Sequence, residues 1–260
     1  VTEVRTVARP AVSGGMTAQQ IQMRARVQRA ATWTGPTMFL LWVVSWIGIA
    51  RWIPPPSPGH RPDQVLQQFR DHTSAIQVGM LITLFASALL VPFCSVISAQ
   101  MRRIEGYGGS TLSIMQVTSA AVLSLEFIIP LMVWLTATYR IKTTSAETIS
   151  MLNDMGWLMF VVVISSAEVQ LVSIAVAIFT DTRPNPIFPR WAGYLNLWVC
   201  LGLLPAAFVV FFKNGPIAWN GLVGFFLPLT SYGIWMFAMF LLLRRAIDEQ
   251  LAEDTTRSPV

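Results

Sequence analysis

Histidine and cysteine are scarce in this chain, with two of each among 260 residues. His60 and His72 fall in one loop, which excludes a haem, copper or di-iron site built on several imidazoles. Cys94 and Cys200 both lie inside apolar runs, and two thiols alone assemble neither a disulfide framework nor a tetrahedral metal centre. No cofactor is expected. Charge is scarce as well: Asp, Glu, Lys and Arg supply 12% of the residues, about half the share usual in soluble domains. The net charge of +5 would suit nucleic acid, but the basic residues are spread over several segments and not gathered on one amphipathic face. No nucleic-acid partner is expected.

What the sequence has in abundance is long apolar stretches. About 20 residues at a rise of about 1.5 Å cross a hydrocarbon core of roughly 30 Å. Six runs reach that length, at about 33–53, 75–101, 111–139, 149–179, 191–212 and 217–243. The pattern predicts an all-α, polytopic six-helix transmembrane bundle with the lipid bilayer as its principal partner. Residues 1–32 form a basic N-terminal segment, 33–245 the six-span domain and 246–260 a polar tail expected to be disordered. The first segment has no apolar core before a small-residue cleavage site, so no signal peptide is expected; Val1 reads as a non-Met start codon and Met16 as an alternative start. From Thr17, a suitable N-cap, Ile21, Met23, Val27 and Ala31 recur at mostly helical spacing beside arginines, which fits a short interfacial helix and equally a solvated tail.

Between the spans, the run from Pro54 to Gly59 forbids helix continuation, and 63–73 reads as an amphipathic helix with Val65, Leu66 and Phe69 on one side. Six spans place both termini on one side. Alternate loops then carry 12 and 6 of the 18 Lys and Arg residues, with the larger share on the terminal side. The positive-inside rule makes that side cytoplasmic, and the absence of glycosylation sequons fits a bacterial inner membrane.

Two carboxylates stand out because they lie deep inside apolar runs with no Lys or Arg in either run to neutralise them. Glu126 is near the middle of span 3 and Glu168 just past the middle of span 4. An intramembrane carboxylate costs about 2–4 kcal/mol and is functional by default. In span 3, Gln116, Ser119, Leu123, Glu126 and Pro130 share one helical stripe; in span 4, so do Asp154, Val161, Ser165, Glu168 and Val172. Consecutive spans pack antiparallel, so the stripes are expected to meet. Two neighbouring carboxyls in low dielectric would share a proton, an arrangement suited to a proton relay or to a lipophilic or protonatable small molecule.

Glu126, Glu168, Gln116, Ser119, Ser165 and Asp154 are therefore the candidate ligand- or proton-binding residues. The plain alternative is that each Glu fastens helices together through Gln116, Gln170, Ser165 or Ser124, with Asp154 a residue at the start of its span. Asn196 and the Thr230-Ser231-Tyr232 cluster read as helix-packing groups, and Pro92, Pro130, Pro205 and Pro228 as kinks. Trp33, Trp52, Trp134, Trp157, Trp191 and Trp219, near span ends, read as interfacial anchors.

The strings Pro186-Ile187-Phe188-Pro189-Arg190-Trp191-Ala192-Gly193-Tyr194, Phe212 to Gly221 (FKNGPIAWNG) and Ile53 to Pro58 (IPPPSP) resemble a group of six-span bacterial membrane proteins common in actinobacteria. The likeness runs from span 1 to span 6. The acid in span 3 and the Pro-Arg-Trp start of span 5 are similar, more distantly, to a broad family of the same topology whose domain has no known function. Neither resemblance implies an activity. Three classes remain open on the residues: a transporter or permease-like protein that can form a homo-oligomer, a membrane enzyme acting on a lipophilic substrate, and an accessory or scaffold subunit. No inverted repeat supports the first, and no nucleophile or metal motif supports the second.

Overall fold

The computed structural model describes residues 16–106 and 109–257. Six helical rods are long and apolar enough to cross a membrane. Span 1 is α1 (Ala18–Val43) continued by a π-helical turn, Val44–Ile49. Its N-terminus is set by Thr17, whose side chain accepts from the Gln20 amide while the Gln20 side chain accepts from the Thr17 amide. A short helix, α2 (Pro62–Asp71), follows the proline-rich stretch. Span 2 is split into α3 (Thr73–Ser87) and α4 (Leu90–Glu105). Span 3 is the unbroken α5 (Thr111–Tyr139), and span 4 is split into α6 (Ala146–Val161) and α7 (Ser165–Thr180). Span 5 is α8 (Arg190–Ala207), closed by a 3-10 turn at Phe208–Phe211. Span 6 opens with a π-helical segment, Leu222–Phe226, and continues as α9 (Leu227–Arg257).

Both terminal segments differ from expectation. Residues from Ala18 are helical, but they run straight into span 1 instead of forming a separate interfacial helix. The polar tail is helical through Arg257. The reason is mutual: Arg24 pairs with Asp254, Arg29 with Asp248 at 2.7 Å and Arg103 with Glu253 at 3.0 Å. Beneath these pairs the buried Gln100 amide donates to Gln28 at 3.1 Å and to Gln250 at 3.0 Å. α1, α4 and α9 thus extend past the apolar zone as one charged bundle. Residues 1–15, which carry the expected N-terminal basic cluster's first arginines, lie outside the described residues.

On the same end, the loop before α8 is fixed by Asp181. It accepts two guanidinium bonds from Arg183, at 2.9 and 2.7 Å, and the Ile187 amide at 3.1 Å. Burial works to raise this carboxyl, but those hydrogen bonds and the Arg183 charge outweigh it and hold Asp181 below the usual carboxylate range. Ile187 and Phe188 are thereby pinned in the core.

The opposite end is capped by residues 51–72. Val65 and Phe69 are buried as their spacing predicted, and α2 lies on α6. The Trp219 indole donates to the Pro56 carbonyl at 2.8 Å, tying the cap to the start of span 6. Four of the six tryptophans expected at the interface are core residues: Trp52, Trp134, Trp157 and Trp219 are at most 5% exposed, whereas Trp33 and Trp191 are about half exposed. Trp46 joins them, with ring centroids 5.9 Å from both Trp134 and Trp157. A Cβ on Gly156 would overlap the Trp134 indole, so glycine is what lets α5 and α6 close over this cluster.

Candidate functional site

Two of the six spans break, and they break at the same level. In span 4 the run Val161-Val162-Val163-Ile164 is wholly β-branched, a poor helix former, and the helix lapses at Val162–Ile164 before restarting at Ser165. In span 2 the helix lapses at Ala88-Leu89, where Pro92 supplies no N–H to the carbonyl four residues earlier. Breaks leave backbone groups unpaired, and at membrane depth these must find partners. α5 supplies them. Ser124 donates to the freed Ser87 carbonyl at 3.0 Å, and Glu126 accepts a short hydrogen bond from Ser166 in the first turn of α7. Ser124 and Glu126 are two residues apart, about 3 Å along the axis.

The structure therefore gives Glu126 a partner, and that partner is not Glu168. Ser166 and Glu168 are separated by about 200° around α7. Glu126 meets the α5 side of that helix, whereas Glu168 turns to the α8 side, beside the Cys200 thiol. The buried Oε1 of Glu168 has no hydrogen-bond partner among the described residues. Its place in the first turn of α7 does set it favourably against the helix dipole. The expected pairing of the two acids is not seen: Glu126 has Ser166 as its neighbour and Glu168 has Cys200.

The remaining candidates disperse accordingly. Gln116 is fully buried, and Ser119 is half-buried on the same inward stripe of α5. Ser165 is exposed, and Asp154, half-buried near the capped end, is within electrostatic reach of Lys213. No acidic line runs through span 4.

What the span 4 break does line is a cavity of about 90 Å³. Leu123 and Phe127 of α5, Val163 and Ile164 of the span 4 break, Ala167 of α7, Leu203 and Ala206 of α8, and Phe225 and Tyr232 of span 6 line it. Trp42 and Phe160 form its remaining wall, and beyond them lies a second apolar recess of about 220 Å³ between span 1 and the π-helical start of span 6. Val43 and Ile47, which line that recess, are exposed on the lipid-facing surface. The two hollows share Trp42, Phe160, Phe225 and Leu229. Those shared side chains stand between the cavity and the recess. Both π-helical segments border it, in line with the tendency of π-bulges to occur at functional sites.

Sequence reasoning passed over Trp42, Phe160 and Phe225 because aromatic residues in apolar runs are ordinary core. The signal that was available is the unbroken β-branched run followed by two serines. No protein-family model matches the chain, and no curated protein or solved structure matches it.

Proposed function

We propose that this multi-pass membrane protein handles a small lipophilic molecule within the bilayer, in the manner of a permease, with both termini on the cytoplasmic side of a bacterial inner membrane. One observation carries the reading: the break in span 4 lines an apolar cavity. Non-helical backbone at membrane depth is costly unless protein or a cavity surrounds it, and discontinuous helices at mid-depth are where transporters bind their substrates. The ligand is lipophilic because Trp, Phe, Leu, Val and Ala supply almost all of the walls. A proton relay between glutamates receives no support, since the two acids face different helices. Glu126 supports the architecture, by holding the restart of span 4 through Ser166.

Native mass spectrometry of protein extracted in a mild detergent tests this. The wild type should retain an apolar small molecule with a defined mass at one copy per chain. Ala206→Phe, which fills the cavity, should lose it while keeping the same thermal unfolding temperature within a few degrees. Equal retention in both proteins, or no bound species in either, would defeat the reading.

A further inference from the structure

Gln116, Gln170 and Tyr232, toward the terminal side of the cavity, are among the side chains buried without their full set of hydrogen bonds. Gln116, on α5, is 0% exposed, and neither its amide nitrogen nor its amide oxygen has a hydrogen-bond partner among the described residues. Gln170, on α7, is also 0% exposed; its nitrogen donates to the Cys94 thiol of α4 at 3.0 Å, and its oxygen has no partner. The Gln116 amide faces that same thiol without reaching hydrogen-bonding geometry. The Tyr232 hydroxyl is buried and unpartnered too, and its ring lines the cavity. An unmet amide or hydroxyl in an apolar interior is destabilising, because the water it gave up has not been replaced. Three such groups in one region of a tightly packed bundle call for an occupant.

Their position relative to the cavity follows from helix geometry. Gln170 lies three residues past Ala167, which lines the cavity, so it sits less than one turn, about 4.5 Å, toward the terminal end. Gln116 lies two turns, about 10.5 Å, from Leu123 in the same direction and on the same buried stripe. Neither amide lines the cavity; both lie past its terminal-side end, where Tyr232 is the last lining residue of span 6. Their chemistry selects the occupant: Gln116 offers an open donor and an open acceptor, Gln170 an open acceptor, and neither amide carries a charge, while the Glu168 carboxyl, two residues from Gln170, turns to Cys200 of α8. A charged headgroup would be desolvated with nothing to neutralise it. A hydroxyl, which both donates and accepts, satisfies the set.

Resting on the reading of the cavity as a lipophile site, we propose that Gln116, Gln170 and Tyr232 form a headgroup subsite for a hydroxyl, so that the ligand is a single-chain or isoprenoid alcohol with its hydroxyl toward the terminal end and its chain in the aromatic cavity.

The test uses 11-bromoundecanol and 1-bromoundecane, whose bromine quenches tryptophan fluorescence, on the full chain in nanodiscs at matched membrane mole fractions. The alcohol should reach half of the saturable quenching at about one-tenth the mole fraction needed by the alkane, the gain expected of one to two net hydrogen bonds. Gln116→Met and Gln170→Met should each remove most of that preference while leaving alkane quenching unchanged, which also shows that the variant cavity is intact. Equal half-points for alcohol and alkane in the wild type would overturn the subsite, the amides then being met by trapped water, and would leave the cavity reading standing. Absence of any saturable quenching by either probe would instead overturn the cavity reading itself. A preference that survives in both variants would also reject these residues as the subsite.

Discussion

The half of the bundle near the termini and the half beneath the 51–72 cap are held by different chemistry. Near the termini the core is aliphatic and sulfur-rich, built on residues such as Leu171, Ile174, Met236, Met239 and Leu243, with polar side chains threaded through it and ion pairs beyond. Beneath the cap it is a tryptophan cluster, Trp46, Trp52, Trp134, Trp157 and Trp219, packed edge to face and in stacks. The cavity lies where these cores meet: Leu123, Ala167 and Leu203 belong to the first, and Val161, Ala206 and Phe225 to the second. Two packed units that each close well on themselves leave their seam less well filled, and the seam is where spans 2 and 4 give up helical structure.

The comparison predicts unequal responses to mutation. The largest belongs to the tryptophan half: Trp157→Ala should cost about 3–5 kcal/mol, read by denaturant unfolding in detergent, and hydrogen exchange should rise in α2, α6 and the cap before it rises in α9. Uniform exchange across both ends would show that the halves are one unit. At the seam, Glu126→Leu leaves the Ser166 hydroxyl without its acceptor and should cost about 1–3 kcal/mol, whereas Glu126→Gln retains an acceptor and should cost less than about 1. Equal losses would mean that charge, and not the hydrogen bond, is what Glu126 contributes.

In the terminal half, Asp181 gives a pH signature. Its carboxyl is held low in the folded protein, so the stability it contributes is present above the ordinary carboxylate range and is lost as pH falls through the lowered value. Asp181→Asn should therefore destabilise by about 1–2 kcal/mol at neutral pH and show a flatter acid limb than the wild type in a series of melts. Parallel acid limbs would assign the acid sensitivity elsewhere. The smallest effect is expected of Arg29→Ala, which removes a largely exposed pair with Asp248 and should change stability by less than about 0.5 kcal/mol.

Much of this architecture could be read from residue order. The six spans follow from run length, the start of α1 from Thr17, and α2 from Val65 and Phe69, since each depends on a local pattern. The breaks did not show, because an apolar window scores Val161 to Ile164 as highly as a helix and the cost of interrupting it depends on Ser166 finding Glu126 across the bundle. The burial of Trp134 and Trp157 was hidden for a related reason: whether an aromatic near a span end meets lipid headgroups or a neighbouring helix is decided by Gly156 and by the cap. The positions of the two glutamates in the sequence were informative about depth and silent about facing.

The central claim is that the seam between the two cores is a binding cavity for an apolar chain. Its most direct test is a structure of the full protein determined with 11-bromoundecanol, in which bromine is located by its anomalous scattering. The account predicts a bromine peak within the aromatic walls formed by Trp42, Phe127, Phe160 and Phe225. Bromine found only along the outer, lipid-facing surfaces of the helices, with the seam empty, would contradict it.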